Sequence, residues 1–139
     1  MLALIRITGL TRMDTKVEET LQRLRLRKKY TLVFVKEVPE MLGMVEKVRN
    51  FVAYGKVDEK MIAEIIKARG KVLGDTKAKV KDAEKAAADL LAGKTLEELK
   101  IKPFFGLHPA RGGIDTKHHQ PKGVIGPHAD ISKLIMKML

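Results

Sequence analysis

Residues 31–57 read Thr-Leu-Val-Phe-Val-Lys-Glu-Val-Pro-Glu-Met-Leu-Gly-Met-Val-Glu-Lys-Val-Arg-Asn-Phe-Val-Ala-Tyr-Gly-Lys-Val. Thr31 to Glu37 is β-branched and apolar, as a strand requires. Pro39 follows at the position proline tolerates best, the first turn of a helix. Leu42, Val45 and Val48 recur at helical spacing and predict a buried stripe. From Phe51 to Val57 the period falls back to two, with Val52, Tyr54 and Lys56 on one side. The stretch is therefore strand, helix, strand.

Upstream, the same alternation continues. Leu2 to Ile7 predicts a strand broken by Gly9. Asp14 and Thr15 are cap candidates, and Thr15 with Glu18 forms the pattern of a capping box. Val17, Leu21 and Leu24 give the apolar stripe of a helix over about 15–27, whose last turn is expected to hold Arg23, Arg25, Arg27, Lys28 and Lys29. The order β-α-β-α-β over 1–57 predicts an α+β fold: a ferredoxin-like split β-α-β-α-β unit, both helices on one sheet face and the other face left for something else. Such a unit is expected to fold alone.

After Val57 the pattern turns helical. Asp58 caps a helix through Ile62, Ile65 and Ile66 that Gly70 stops. A second helix is expected from Thr76 through Lys77, Lys79, Lys81 and Lys85 to Leu91, stopped by Gly93. Thr95 with Glu98 makes another capping box. Lysines and acids nearly balance over 77–100, which predicts a solvated helical appendage. Val124-Ile125, between Gly123 and Gly126, suffices for an edge strand. Asp130 then caps an amphipathic helix through Ile131, Leu134, Ile135 and Met138. The chain thus divides into a core unit (1–57), a helical extension (58–100) and an extended basic segment with a C-terminal helix (101–139).

Four of the five prolines fall at 103, 109, 121 and 127. They sit in a strip opening Lys102-Pro103-Phe104-Phe105-Gly106-Leu107-His108-Pro109-Ala110-Arg111-Gly112-Gly113. Prolines stop helix propagation there. A cationic strip with flat rings and glycines suits a nucleic-acid groove, and a surface loop whose phenylalanines tuck into the core is the competing reading. With four basic side chains and few apolar groups, 102–122 is expected to order on RNA rather than alone.

Twenty-eight Lys and Arg against seventeen Asp and Glu give +11, which points to a polyanionic partner. Residues 1–57 hold twelve basic side chains against six acids, and 101–139 hold six against two. No apolar run approaches the ~20 residues of a membrane span. Zero cysteines exclude a thiolate metal site or a disulfide framework, and cytoplasmic residence is the default. No phosphate-binding glycine loop is present. The His118-His119 pair with distant His128 matches no common zinc spacing, so no metal or other cofactor is expected.

The candidate RNA-facing residues are Arg23, Arg25, Arg27, Lys28 and Lys29 from charge, and Lys102, Phe104, Phe105, His108, Arg111, Gly112, Gly113, Lys117, His118, His119 and Lys122 from the tail. The alternative is a small enzyme acting on RNA or a nucleotide through His118 and His119, or a free-standing nucleic-acid-binding module. An enzyme needs an acid-base pair, and this tail holds few carboxylates.

Read in order, Leu-Ile-Arg-Ile at 4–7, Gly43-Met44, Val-Ala-Tyr-Gly at 52–55, Lys-Pro-Phe-Phe at 102–105, Arg-Gly-Gly at 111–113 and Ile-Ser-Lys-Leu-Ile-Met-Lys-Met at 131–138 resemble the archaeal and eukaryotic branch of the L-thirty family of large-subunit ribosomal proteins, whose eukaryotic members are called L-seven. The resemblance covers essentially the whole chain, and bacterial relatives look like residues 1–57 alone. It implies binding to large-subunit ribosomal RNA close to the five-S RNA, with neighbouring ribosomal proteins as partners, no catalytic activity and no small-molecule substrate. Arg111 and Gly112-Gly113 carry over as RNA-facing. The chain departs from the family pattern at Gly106, where an arginine usually follows the phenylalanine pair, and at Ala110, where a proline usually precedes Arg111.

Overall fold

The computed structural model describes residues 1–9, 13–74, 80, 82–114 and 116–139. Strands β1 (Leu2–Arg6), β2 (Thr31–Val35) and β3 (Val52–Lys56) alternate with helices α1 (Thr15–Arg23) and α2 (Pro39–Val48). Then come α3 (Glu59–Arg69), α4 (Ala83–Leu91), the two-residue β4 (Phe105–Gly106), β5 (Gly126–His128) and α5 (Ser132–Met138). One five-stranded sheet runs β4-β2-β1-β3-β5. β2 and β3 are each antiparallel to β1 between them, so the β2-α2-β3 unit is split by β1 as expected.

Every residue of β1 is buried, because the sheet is covered on both faces. Leu2, Leu4, Val33, Val35 and Val52 pack beneath Leu21, Leu24, Leu26, Val45 and Val48, so α1 and α2 share one face. Ala3, Ile5, Ile7, Leu32 and Ala53 point the other way. That face, which the sequence left open, is covered by the chain itself: Ile62, Ile65 and Ile66 of α3, the alanines of α4, and Ile131, Ile135 and Met138 around α5. The three segments therefore share a core, and a fragment ending at Val57 would leave this face in water.

Several expectations are corrected. Helix α1 stops at Arg23, not at 27. Arg25 adopts φ +61°, Leu26 N–H bonds Leu21 O at 2.8 Å and Arg25 N–H bonds Gln22 O at 2.9 Å. This is a Schellman end with arginine where glycine is usual, closed by buried Leu21 and Leu26. Its N-cap is Asp14, whose carboxylate accepts from Lys16 N–H, and Thr15 is already helical. Leu42 is exposed; only Val45 and Val48 of its stripe are buried. Helix α4 is a core element, not a solvated appendage. Its alanines at 83, 86 and 87 with Leu90 form a stripe of small buried residues that a tally of charges conceals. The expected start of that helix at Thr76, with Lys77, Lys79 and Lys81, lies outside the described residues.

Other expectations hold. Pro39 opens α2. Glu98 N–H bonds Thr95 Oγ1 at 3.4 Å while Thr95 N–H bonds the Glu98 carboxylate at 3.2 Å, a reciprocal box. The expected edge strand forms two residues late, as β5 beside β3. Gly55 makes that junction possible, since a Cβ there would lie 2.7 Å from His128 O. Asp130 accepts from Ser132 N–H at 3.1 Å, ahead of α5.

Candidate nucleic-acid interface

The strand registers put Gly126, Ala53, Ile5, Leu32 and Phe105 in one row across the sheet. One step further, toward Arg6, every strand meets a loop. Residues 26–30 lead into β2, 49–51 into β3 and 116–125 into β5, while β1 and β4 run out into Ile7–Gly9 and Leu107–Gly113. Arg27, Lys28, Lys29, Arg49, His108, Arg111, Lys117, His118, His119 and Lys122 all belong to these loops. The register alone gathers segments separated by some ninety positions in the chain.

The opposite end is of mixed charge. There Lys56 pairs with Glu37 at 3.3 Å and Lys133 with Asp130 at 3.6 Å. The amino group of Met1 and Lys56 hold the Glu37 carboxyl below the ordinary carboxylate range.

A buried cation organises the basic end. Arg6 is 5% exposed, and its Nη1 donates to Leu26 O at 2.6 Å and Arg27 O at 2.9 Å. Its Nη2 donates to Gly9 O. The planar fork of a guanidinium reaches several carbonyls at once, as an ammonium cannot. Burial lowers the Arg6 pKa and the Glu18 charge opposes this, but a guanidinium stays protonated in either case. Arg6 thus fixes the backbone that carries Arg27, Lys28 and Lys29. Arg6 was not among the residues expected from sequence. Its signal is a lone cation inside the apolar run Leu2–Ile7.

The cluster at 23–29 is divided. Arg27 and Lys28 are exposed and Lys29 is half-buried at the Arg6 end. Arg25 instead forms an exposed ion pair with Glu97, and Arg23 and Arg25 border a groove along β2.

The tail strip is divided too. Phe105 is fully buried, its ring 5.4 Å from that of Phe34, so it is a core residue and offers no surface for a base. Phe104 is 47% exposed. Adjacent residues at a strand point to opposite sides, so one phenylalanine goes in and the other out. Lys102 is half-buried, and its N–H bonds Lys71 O at 2.9 Å. Leu107 and Ala110 are also buried, which corrects the expectation that this strip has few apolar groups to give a core.

His108 and Arg111 expose their side chains while their N–H groups bond Met138 O and Lys137 O at 2.9 and 2.8 Å. The backbone is pinned to the end of α5 and the charges face out. Gly113 N–H bonds Ala110 O at 2.9 Å across a turn with Gly112 at φ +84°, a value that favours glycine. Two of the three amides at 111–113 are therefore engaged within the protein.

Lys117, His118, His119 and Lys122 are exposed on a loop tied by Ile125 N–H to His118 O and Gln120 N–H to Ile125 O. Half-buried His128 lies 2.7 Å from Val124 O and 3.1 Å from the Gln120 amide, so both ring nitrogens serve the loop. Among the described residues no three His, Cys, Asp or Glu side chains group as metal ligands, and no helix is long and apolar enough to cross a membrane.

The model of the family described as Ribosomal protein L30p/L7e matches residues 2–52. Curated relatives extend the match to nearly the whole chain. The large ribosomal subunit protein uL30 of Archaeoglobus fulgidus is 36% identical over 99% of both chains. That of Desulfurococcus amylolyticus is 40% identical over 99% of this chain and 97% of its own. That of Methanoculleus marisnigri is 33% identical over 99% of both. With relatives at this identity matched over 99% of its length, the chain belongs to the ribosomal protein L30p/L7e family.

Proposed function

We propose that this chain is a structural constituent of the large ribosomal subunit, in the cytoplasm, and that it binds folded large-subunit rRNA with the Arg6 end of its sheet. The observation that carries the reading is the register row, which collects Arg27, Lys28, Lys29, His108, Arg111 and the 117–122 loop at one end. The family membership supplies the particle. Lys and Arg there neutralise phosphates that approach where RNA helices pack together. The RNA's own fold supplies the shape, so no base-reading helix is required. The position beside five-S RNA follows from the family resemblance, and so do neighbouring ribosomal proteins as partners. The role is architectural rather than catalytic.

Sedimentation tests the class. The tagged chain is expected to co-migrate with large subunits through a sucrose gradient after a high-salt wash. A chain left at the top of the gradient would refute the reading.

A further inference from the structure

The outer edge of β2 is only half covered. β4 pairs with Thr31 and Leu32 and goes no further. Continuing its register puts Pro103 opposite Phe34, and proline has no N–H to extend the ladder. The chain also leaves the edge there, because Lys102 N–H bonds Lys71 O. Leu107 N–H bonds Tyr30 O, so with the strand period of two the backbone groups of Leu32 and Phe34 and the N–H of Lys36 face outward, while Lys36 O is taken by Val38 N–H at 2.9 Å, which ends the edge. Leu32 meets β4. Phe34 meets no strand among the described residues.

Beside this edge runs a groove of about 480 Å³. Its walls are apolar on both sides of the sheet, with Val33, Met41 and Met44 toward α2 and Leu90 and Leu96 toward α4. Val38 and Met41 at its rim are 41% and 37% exposed. Its cations are largely engaged: Arg25 with Glu97, Lys94 with Asp89, and Lys36 Nζ with Gly93 O. Glu97 is taken up by Arg25, and Glu40 on the α2 wall would repel phosphate. An open, apolar strand edge is a template for another strand and a hazard if left bare.

We infer that the groove along Phe34–Lys36 receives an extended segment of a neighbouring protein, added as a strand with apolar side chains at alternate positions. Backbone bonds to the open edge supply the register, and the two apolar walls select the side chains. The open stretch of three residues spans about 10 Å, enough for a short strand. The inference rests on the ribosomal reading, since it assigns the neighbour to the assembled particle.

A photoreactive benzophenone side chain in place of Val38 tests it inside purified large subunits. Sedimentation of the labelled chain is scored first, and a chain that never enters the particle overturns both readings. In the particle, we expect cross-links to one protein segment whose sequence alternates apolar residues. Lys36→Pro removes an outward N–H, and it should cut the cross-link yield at least fivefold. Lys36→Ala loses the ammonium but keeps that N–H, and it should retain the yield. Cross-links chiefly to rRNA, to a helical segment or to a second copy of this chain would overturn the inference, as would no cross-link or equal yields from the two Lys36 variants.

Discussion

Arg6 Nη1 lies 2.6 Å from Leu26 O, joining a buried strand to the start of the most basic loop in the first unit. The same nitrogen reaches Arg27 O, and Nη2 reaches Gly9 O. A cation inside a β-strand thereby holds other cations in place at the surface without being exposed itself. Arg6→Lys keeps the charge and loses the fork. We expect it to cost about 1.5–3 kcal/mol of stability, the range for hydrogen bonds to a charged group. Denaturant titration measures that cost, and rRNA binding should weaken in the same variant. Weaker binding with an unchanged unfolding midpoint would mean that Arg6 contacts RNA directly.

The two phenylalanines separate packing from binding. Phe105→Ala empties a fully buried site and should cost about 3–5 kcal/mol of stability. Phe104→Ala trims a ring that is 47% exposed and should leave the melting temperature nearly unchanged. If that ring stacks on a base, rRNA affinity should fall by about 1–3 kcal/mol. Calorimetry and filter binding on both variants give the answer. An unstable Phe104→Ala protein would place that ring in the fold instead.

Salt dependence locates the interface. Each phosphate contact removed from a nucleic-acid complex lowers the log-log salt slope by about 0.7–0.9. Lys28→Ala should show such a drop, because Lys28 is exposed at the Arg6 end. Lys60→Ala, at the start of α3 on the opposite end, should leave the slope unchanged. Equal drops in both would spread the footprint over the whole surface and remove the case for one basic end.

The sequence was legible wherever period and punctuation agree. Apolar and β-branched runs mark β1 and β2, a period of two marks β3, Pro39 marks a helix start, and Thr95 with Glu98 forms the box it spells. Reading failed where the usual marker was absent. The end of α1 bears Arg25 rather than glycine at its left-handed position, so the helix looked longer than it is. The stripe on α4 is made of alanines, whose burial is invisible when lysines dominate the count. The site was half legible. Charge singled out these loops, but their convergence at one end depends on strand register, which no local pattern encodes. Two adjacent phenylalanines look alike in sequence, and the strand's alternation gives them opposite fates. Arg6 was hidden by its setting, since an arginine in an apolar strand has no local partner and binds carbonyls twenty residues away.

Gly106 offers a test by gain rather than loss. It is exposed on the edge strand β4, and a Cβ built there meets nothing within 4 Å. Its φ is not among the positive values, so an L side chain fits the backbone. The family resemblance implies an arginine here, and the neighbours in the fold are the basic loop before β2 and the exposed His108. Gly106→Arg should therefore change stability by no more than about 0.5 kcal/mol, as for other surface positions. If position 106 faces rRNA, the new guanidinium adds a phosphate contact and raises the salt slope by about 0.7–0.9. Affinity should tighten by about 1–3 kcal/mol at low salt, on the scale of a charged hydrogen bond. Binding isotherms at three salt concentrations measure both quantities on one variant. Tighter binding with an unchanged slope would argue against phosphate contact. No change in either would place β4 in solvent within the particle and shift the interface toward the 117–122 loop.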